Sequence, residues 1–363
     1  MNEMAYKTPE LTTFYVYLTS GCNCACLHCY FVPGDLSSGT SGAFLTHDCL
    51  RHAITQALPL GLRHLKWSGG EPTLHPEFQS FLRLQQEFGL SATIETNGLL
   101  INQPLANLMA ECGVTDVAVS LDGATAETHE TIRGVHGGFA KTVAGIRALS
   151  SAGFSPELIL TLQKDNVDEL DDFLALCAGL GAGSVKFNVV QPLMGGESLN
   201  EAGRSLAVEE VIQIAQEFND GRVGKYGLPL IIDVPWAFRP LSKIISGEQD
   251  GGCNLMHILG ILPGGDYALC GVGQQNPELT LGAVMDDSLA KIWEDHPVLQ
   301  RIRKGLPDEL QGVCARCLLK TVCRGSCVAI NYQVGGDLFS SNWFCQKAMD
   351  AGIFPVSRLA KNR

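Results

Sequence analysis

Between residues 12 and 235 the chain alternates short apolar, β-rich runs with longer amphipathic stretches. The runs Thr13–Leu18, His64–Trp67, Ala92–Thr96, Asp116–Leu121, Glu157–Leu162 and Ser184–Val190 read as strands. Thr46 reads as the N-cap of a helix reaching Leu58, and Asp165 or Asn166 as the cap of one reaching Leu180, which Gly181 would end. A further helix is expected over Ala207–Phe218, and a loop after Val190, where Pro192, Gly195 and Gly196 gather. Strand alternating with helix implies a parallel sheet. Six such units are too many for half of a doubly wound fold and too few for an eight-unit barrel, so the predicted architecture is α/β, an open, partial (β/α)6 barrel. Lys225–Gly252 reads as a connector with some β content. Beyond Gly252 the periodicity weakens and cysteines accumulate. Two domains are expected, a barrel over 1–235 and a connector with a Cys-rich domain over 236–363.

The 363 residues, 45% of them hydrophobic, suffice for one full core and a smaller second one. No apolar run reaches the ~18 residues of a membrane span, and the N-terminus has no basic start followed by an apolar core. A cytoplasmic protein without a membrane partner is expected. The net charge of -12 repels phosphates, so nucleic acid is not an expected partner. In that compartment the 14 cysteines point to metal ligation rather than disulfides. Four lie between Cys22 and Cys29 and seven between Cys253 and Cys345. Cys49, Cys112 and Cys177 fall among apolar residues of helix-like stretches and read as small core side chains.

Cys22, Cys26 and Cys29 form C-x3-C-x2-C directly after the first strand, followed by the aromatic Tyr30. Thiolates on a loop are how proteins hold iron–sulfur clusters, and three ligands leave one of four irons open to a small molecule. From the residues alone a closed zinc site remains an alternative, with Cys24 as the fourth thiolate. Gly69-Gly70-Glu71-Pro72 follows the second strand about 40 residues later, Glu95-Thr96-Asn97-Gly98 ends the third, and Ser120-Leu121-Asp122-Gly123 ends the fourth, with Arg133 beyond it. All fall at the C-terminal ends of strands, the functional face of a parallel barrel. Together these motifs resemble the radical S-adenosylmethionine (SAM) superfamily. The resemblance implies a 4Fe–4S cluster on Cys22, Cys26 and Cys29 whose open iron chelates SAM. Reductive cleavage of SAM then yields a 5′-deoxyadenosyl radical that abstracts substrate hydrogen. It further implies that Gly69, Gly70 and Glu71 hold the SAM amino group, that Ser120 and Asp122 bind the ribose, and that Arg133 pairs with the carboxylate. Tyr30, Asn97 and Val190 would complete the SAM site, the last near the adenine.

Cys253, Gly265 and Cys270 read C-x11-G-x4-C, and Cys314, Cys317, Cys323 and Cys327 read C-x2-C-x5-C-x3-C, with Cys345 last. A zinc ribbon is the alternative, although ribbons usually separate their Cys pairs more widely. The pattern resembles the SPASM domain, which holds two auxiliary clusters. By resemblance Cys314, Cys317, Cys323 and Cys345 ligate one, and Cys253, Cys270 and Cys327 the other. A further Cys shortly after Cys253 is missing, so the latter cluster is expected to have an open site, with His257 the candidate for an unusual ligand.

The resemblance narrows the substrate to a peptide or protein, and the text Phe14-Tyr15-Val16-Tyr17-Leu18-Thr19-Ser20-Gly21-Cys22 is similar to maturases of ribosomally made peptides. A precursor peptide that is crosslinked, or cleaved with excision of part of its backbone, is expected. So is a flavodoxin- or ferredoxin-type electron donor. With the first strand starting near residue 13, no room is expected for a leader-binding module, which points to a separate leader-binding protein or to direct recognition of the peptide by the SPASM face. A formylglycine-forming sulfatase maturase is the second reading. There an Asp follows the Cys equivalent to Cys270, whereas this chain has Gly271. An iron–sulfur electron carrier is the non-enzyme reading, but it has no use for Gly69–Pro72, Ser120 or Arg133.

Overall fold

The computed structural model describes residues 8–30, 43–218, 223–246, 254–272 and 276–361. The six expected strands are β1 Thr13–Tyr17, β2 His64–Ser68, β3 Ser91–Thr96, β4 Val114–Ser120, β5 Glu157–Leu162 and β6 Ser184–Val189. Between them run α1 His47–Ala57, α2 Phe78–Glu87, α3 Gln103–Glu111, α4 Ala126–Arg133, α5 Gly138–Ser151 and α6 Leu170–Gly179. After β6 come α7 Gly195–Glu201 and α8 Val208–Glu217. Thr46 caps α1 as expected, its side chain accepting from Cys49 N. Asn166 does not cap α6. Its amide instead donates to the Asp122 and Thr161 carbonyls and accepts from Gln163 N, tying the ends of β4 and β5 together. The expected loop after Val190 becomes helical at Gly195, where the backbone packs on the first cysteine loop and Gly195 N donates to the Cys29 carbonyl.

The sheet is larger than the six units suggested. Strands β7 Leu230–Ile232, β8 Ile258–Ile261, β9 Asp266–Ala268 and β10 Thr280–Ala283 give the order β10-β9-β8-β1-β2-β3-β4-β5-β6-β7. From β8 to β7 all neighbours are parallel, and β9 and β10 run antiparallel at one edge. The expected domain boundary falls between β7 and β8, and β8 pairs with β1, so the sheet runs across it. The C-terminal region that lacked periodicity is helical, in segments of four to nine residues such as Pro297–Gly305, Gly312–Arg316, Lys320–Cys323, Val328–Gly335 and Trp343–Asp350. Helices this short give too few repeats for a periodic signal.

The two faces of the parallel strands differ. Phe14, Val16, Leu65, Trp67, Ile94, Val119, Leu160 and Phe187 face the helices and are fully buried. Trp67 is tied there by Nε1 donating to Gln85 Oε1 at 2.9 Å. Truncating such a side chain costs about 3–5 kcal/mol. The alternate residues Lys66, Ser68, Glu95, Ser120, Thr161, Lys186 and Asn188 are polar. Six of them line a common cavity, and Lys66 pairs with one of those six, Glu95. Cys49, Cys112 and Cys177 are buried among the helices.

Candidate active site

The loop carrying Cys22, Cys26 and Cys29 is held from several sides. Ala25 N and Leu27 N donate to the carbonyls of Arg133 and Ile132 at the end of α4, both at 2.9 Å. Gly70 N and Glu71 N donate to the carbonyls of Thr19 and Gly21 at 2.8 and 2.9 Å. The approach explains the two glycines: a Cβ on Gly70 would lie 2.1 Å from the Gly21 carbonyl oxygen, and Gly69 has φ +134. Glu71 is almost fully buried and acts as a brace. One carboxylate oxygen accepts from Thr73 Oγ1 and Thr96 Oγ1 at 2.6 and 2.7 Å, and the other from Asn97 N at 2.7 Å. Burial nevertheless raises its pKa. Asn97 Nδ2 donates to Asn23 Oδ1 at 2.7 Å and faces the Cys24 sulfur at 3.4 Å, so this side chain shapes the cysteine loop.

Charge is arranged to favour thiolates. A hydrogen bond from the Cys24 thiol, aided by the Arg133 guanidinium, brings Cys26 down to about 5, and Cys24 lowers Cys22 likewise. Arg133 Nη1 sits 3.2 Å from the Cys26 sulfur, and its Nε pairs with Asp122 Oδ2 at 2.7 Å. Asp122 stands behind Arg133. It is fully buried, does not line the cavity, and accepts from Thr161 N at 2.7 Å. The guanidinium and this donor hold its carboxyl below the usual range, against its burial. In this structure it orients Arg133 from outside the cavity lining.

The cavity has a volume of about 780 Å³, within the range of small-molecule sites. Cys22, Cys26 and Cys29 line one part of it, with Tyr30, Gly69, Gly70, Glu71, Asn97, Ser120, Arg133 and Val190. Cys323 and Cys327 line another part. Cys327 and Cys270 lie close enough to interact electrostatically, while Cys253 lies outside the described residues. Cys314, Cys317, Cys323 and Cys345 surround a second, smaller cavity. Among the described residues no three metal-binding side chains converge as a single ion requires. A cavity ringed by four thiols offers the donor set of an iron–sulfur cluster. The described cysteines form no disulfide. His257 Nδ1 donates to the Glu10 carbonyl at 2.9 Å, and the residue also lines the main cavity.

Sequence reasoning missed His28, whose Nε2 lies 3.9 Å from Asp122, and the lumen pair Lys66–Glu95 at 2.6 Å. It also passed over Lys186 and Asn188 on β6 and gave no role to Arg239 and Arg324, all of which line the cavity. The signal was present: parallel strands buried on both faces read as continuous apolar runs, whereas HLKWS and SVKFNV alternate.

An open parallel barrel with a three-thiol loop at its C-terminal rim, closed over by a thiol-rich helical region, defines a cluster-dependent enzyme. The family model of the radical SAM superfamily matches residues 16–177, and that of the SPASM iron–sulfur cluster-binding domain matches residues 253–318. The AdoMet-dependent heme synthase of Methanosarcina barkeri is 30% identical over 90% of this chain and 94% of its own length. The mycofactocin maturase MftC of Mycobacterium ulcerans is 29% identical over 94% and 90%. Streptococcus suis SuiB, solved with its precursor peptide SuiA, superposes with TM-score 0.74 at 16% identity, covering 93% of this chain and 76% of that one. The chain belongs to the radical SAM superfamily and carries a SPASM domain. It is therefore an enzyme that uses SAM, a 4Fe–4S cluster and auxiliary clusters. No described helix is long and apolar enough to cross a membrane.

Proposed function

We propose that this radical SAM/SPASM enzyme modifies a ribosomally made precursor peptide, forming a crosslink or excising part of the backbone. The observation that carries the reading is the single cavity reaching from Cys22, Cys26 and Cys29 to Cys323 and Cys327. A substrate side chain in it is within reach of both thiol sets. When bound to the first three cysteines, the cluster with SAM supplies a radical that removes a substrate hydrogen. Arg133, oriented by Asp122, offers its remaining N–H groups to the SAM carboxylate. Ser120, whose hydroxyl has no hydrogen bond among the described residues, suits a ribose hydroxyl. Cys270 and Cys327 would hold the auxiliary cluster that faces the substrate, with Cys253 as a further ligand.

The fit at Gly271 supports a peptide maturase over the sulfatase type. A Cβ there would lie 2.0 Å from Tyr17 Cζ, so the Tyr17 ring fills the space a side chain after Cys270 would need. A tetrapyrrole substrate is the second reading, favoured by the identity to a heme synthase. Mass spectrometry of a precursor peptide encoded nearby and co-expressed anaerobically tests the choice. Loss of two hydrogens indicates a crosslink, and a larger loss indicates excision. An unchanged peptide in a preparation that cleaves SAM defeats the peptide reading.

A further inference from the structure

The barrel lumen holds two lysines in opposite circumstances. Lys66 on β2 is compensated: its Nζ lies 2.6 Å from Glu95 Oε1 and 4.9 Å from the Tyr15 ring centroid. Glu95 Oε2 is taken by Ser68 Oγ at 3.2 Å, so that carboxylate has both oxygens engaged. Lys186 on β6 also lines the cavity and is half-buried, but among the described residues it makes no hydrogen bond and no ion pair. Its register neighbours are Ile159 on β5 and Ile231 on β7, which offer no charge. Glu95 is felt only at longer range, and Asp233, at the end of β7 beside Asn188, lies beyond ion-pair distance. Two residues on, Asn188 points to the same face, lines the same cavity and has a buried Oδ1 without a partner.

A cation in a partly desolvated lumen gains most from a hydrogen-bonded anion. An orphaned amide oxygen beside it calls for an N–H. Along a strand the two side chains are about 6.6 Å apart, a span that a carboxylate and a nearby amide N–H of one amino-acid residue can bridge. We propose that Lys186 and Asn188 form a subsite that takes a carboxylate of the substrate together with an adjacent amide N–H, as on the terminal or an acidic residue of a peptide. This rests on the reading of the cavity as the substrate site and adds what the substrate must carry there.

The test is amine acetylation of the reconstituted holoenzyme with SAM, read at each lysine by peptide mass spectrometry. Three probes are compared: N-acetylalanine, N-acetylalaninamide and propionate. Lys186 is expected to label readily without a probe. A few millimolar N-acetylalanine should slow it about threefold or more, propionate less, and the amide not at all. Lys66 should be indifferent throughout. In Asn188→Leu the advantage of N-acetylalanine over propionate should vanish. A Lys186 that resists labelling, or equal protection by acid and amide, overturns the proposal. The result does not depend on which peptide is processed, so it can fail while the peptide reading stands, and the reverse. With a processed peptide in hand, C-terminal amidation and Glu→Gln or Asp→Asn changes separate the sources. If amidation raises KM tenfold or more, the terminal carboxylate occupies the subsite; if only Glu→Gln or Asp→Asn does, an acidic side chain does.

Discussion

Cys22, Cys26 and Cys29 sit on a loop that backbone hydrogen bonds tie to the ends of α4, the Gly69–Pro72 turn and α7. Cys314, Cys317, Cys323, Cys327 and Cys345 sit on, or at the ends of, helices of four to eight residues. The electrostatics differ in the same sense. Cys24 and Arg133 bring the Cys26 thiol down to about 5, whereas burial pushes Cys323 and Cys327 up to about 11 and 12 and Cys345 higher still. At the barrel rim the surroundings thus lower the Cys22 and Cys26 thiols. In the C-terminal region burial raises the thiols of Cys317, Cys323, Cys327 and Cys345, so metal binding there, which needs thiolates, would be coupled to folding. Helices so short do not persist without tertiary partners.

Removing a ligand from each set tests that contrast most strongly. Cys345→Ala should lose auxiliary iron and lower the melting temperature by about 10 °C or more. Cys29→Ala should lose iron at the first site and shift the melt by no more than about 2 °C. Thermal melts with iron counting on both variants decide it, and a larger fall for Cys29→Ala breaks the comparison. Next in size is the bracing of the first loop. Gly70→Ala forces a Cβ against the Gly21 carbonyl and should destabilise by about 4 kcal/mol in urea unfolding. A near-neutral result means the loop is not held as described.

The smallest effect concerns the group behind Arg133. His129 is buried, its Nδ1 accepts from Asp122 N at 3.2 Å, and burial together with Arg133 lowers its pKa to about 4. The unfolded state therefore binds a proton below about 6.5 that the native state refuses until about 4. Stability is undiminished above pH 6.5 and falls by up to about 3 kcal/mol as the pH drops to 4. His129→Gln should flatten that part of the pH–stability curve, and an unchanged slope rules the account of His129 out.

Much of this was legible in the sequence, because six strands ending in polar motifs need only local pattern. All six appear within two residues of expectation. The candidate chemistry of the first site was legible because Cys22, Cys26 and Cys29 lie close together in sequence. What escaped depends on long-range pairing. Strand β8 is four residues long and is recognisable only as the partner of β1. That Arg133 and Thr161 N converge on Asp122 shows only once β4, α4 and β5 are assembled. Lys66 and Glu95 pair only once β2 and β3 are set side by side.

The most direct test of the central claim is SAM cleavage by the anaerobically reconstituted, reduced enzyme and by the Cys22→Ala/Cys26→Ala/Cys29→Ala variant. The account predicts 5′-deoxyadenosine from the wild type, and none from the variant while its auxiliary iron remains in place. 5′-Deoxyadenosine formed by the variant would contradict it.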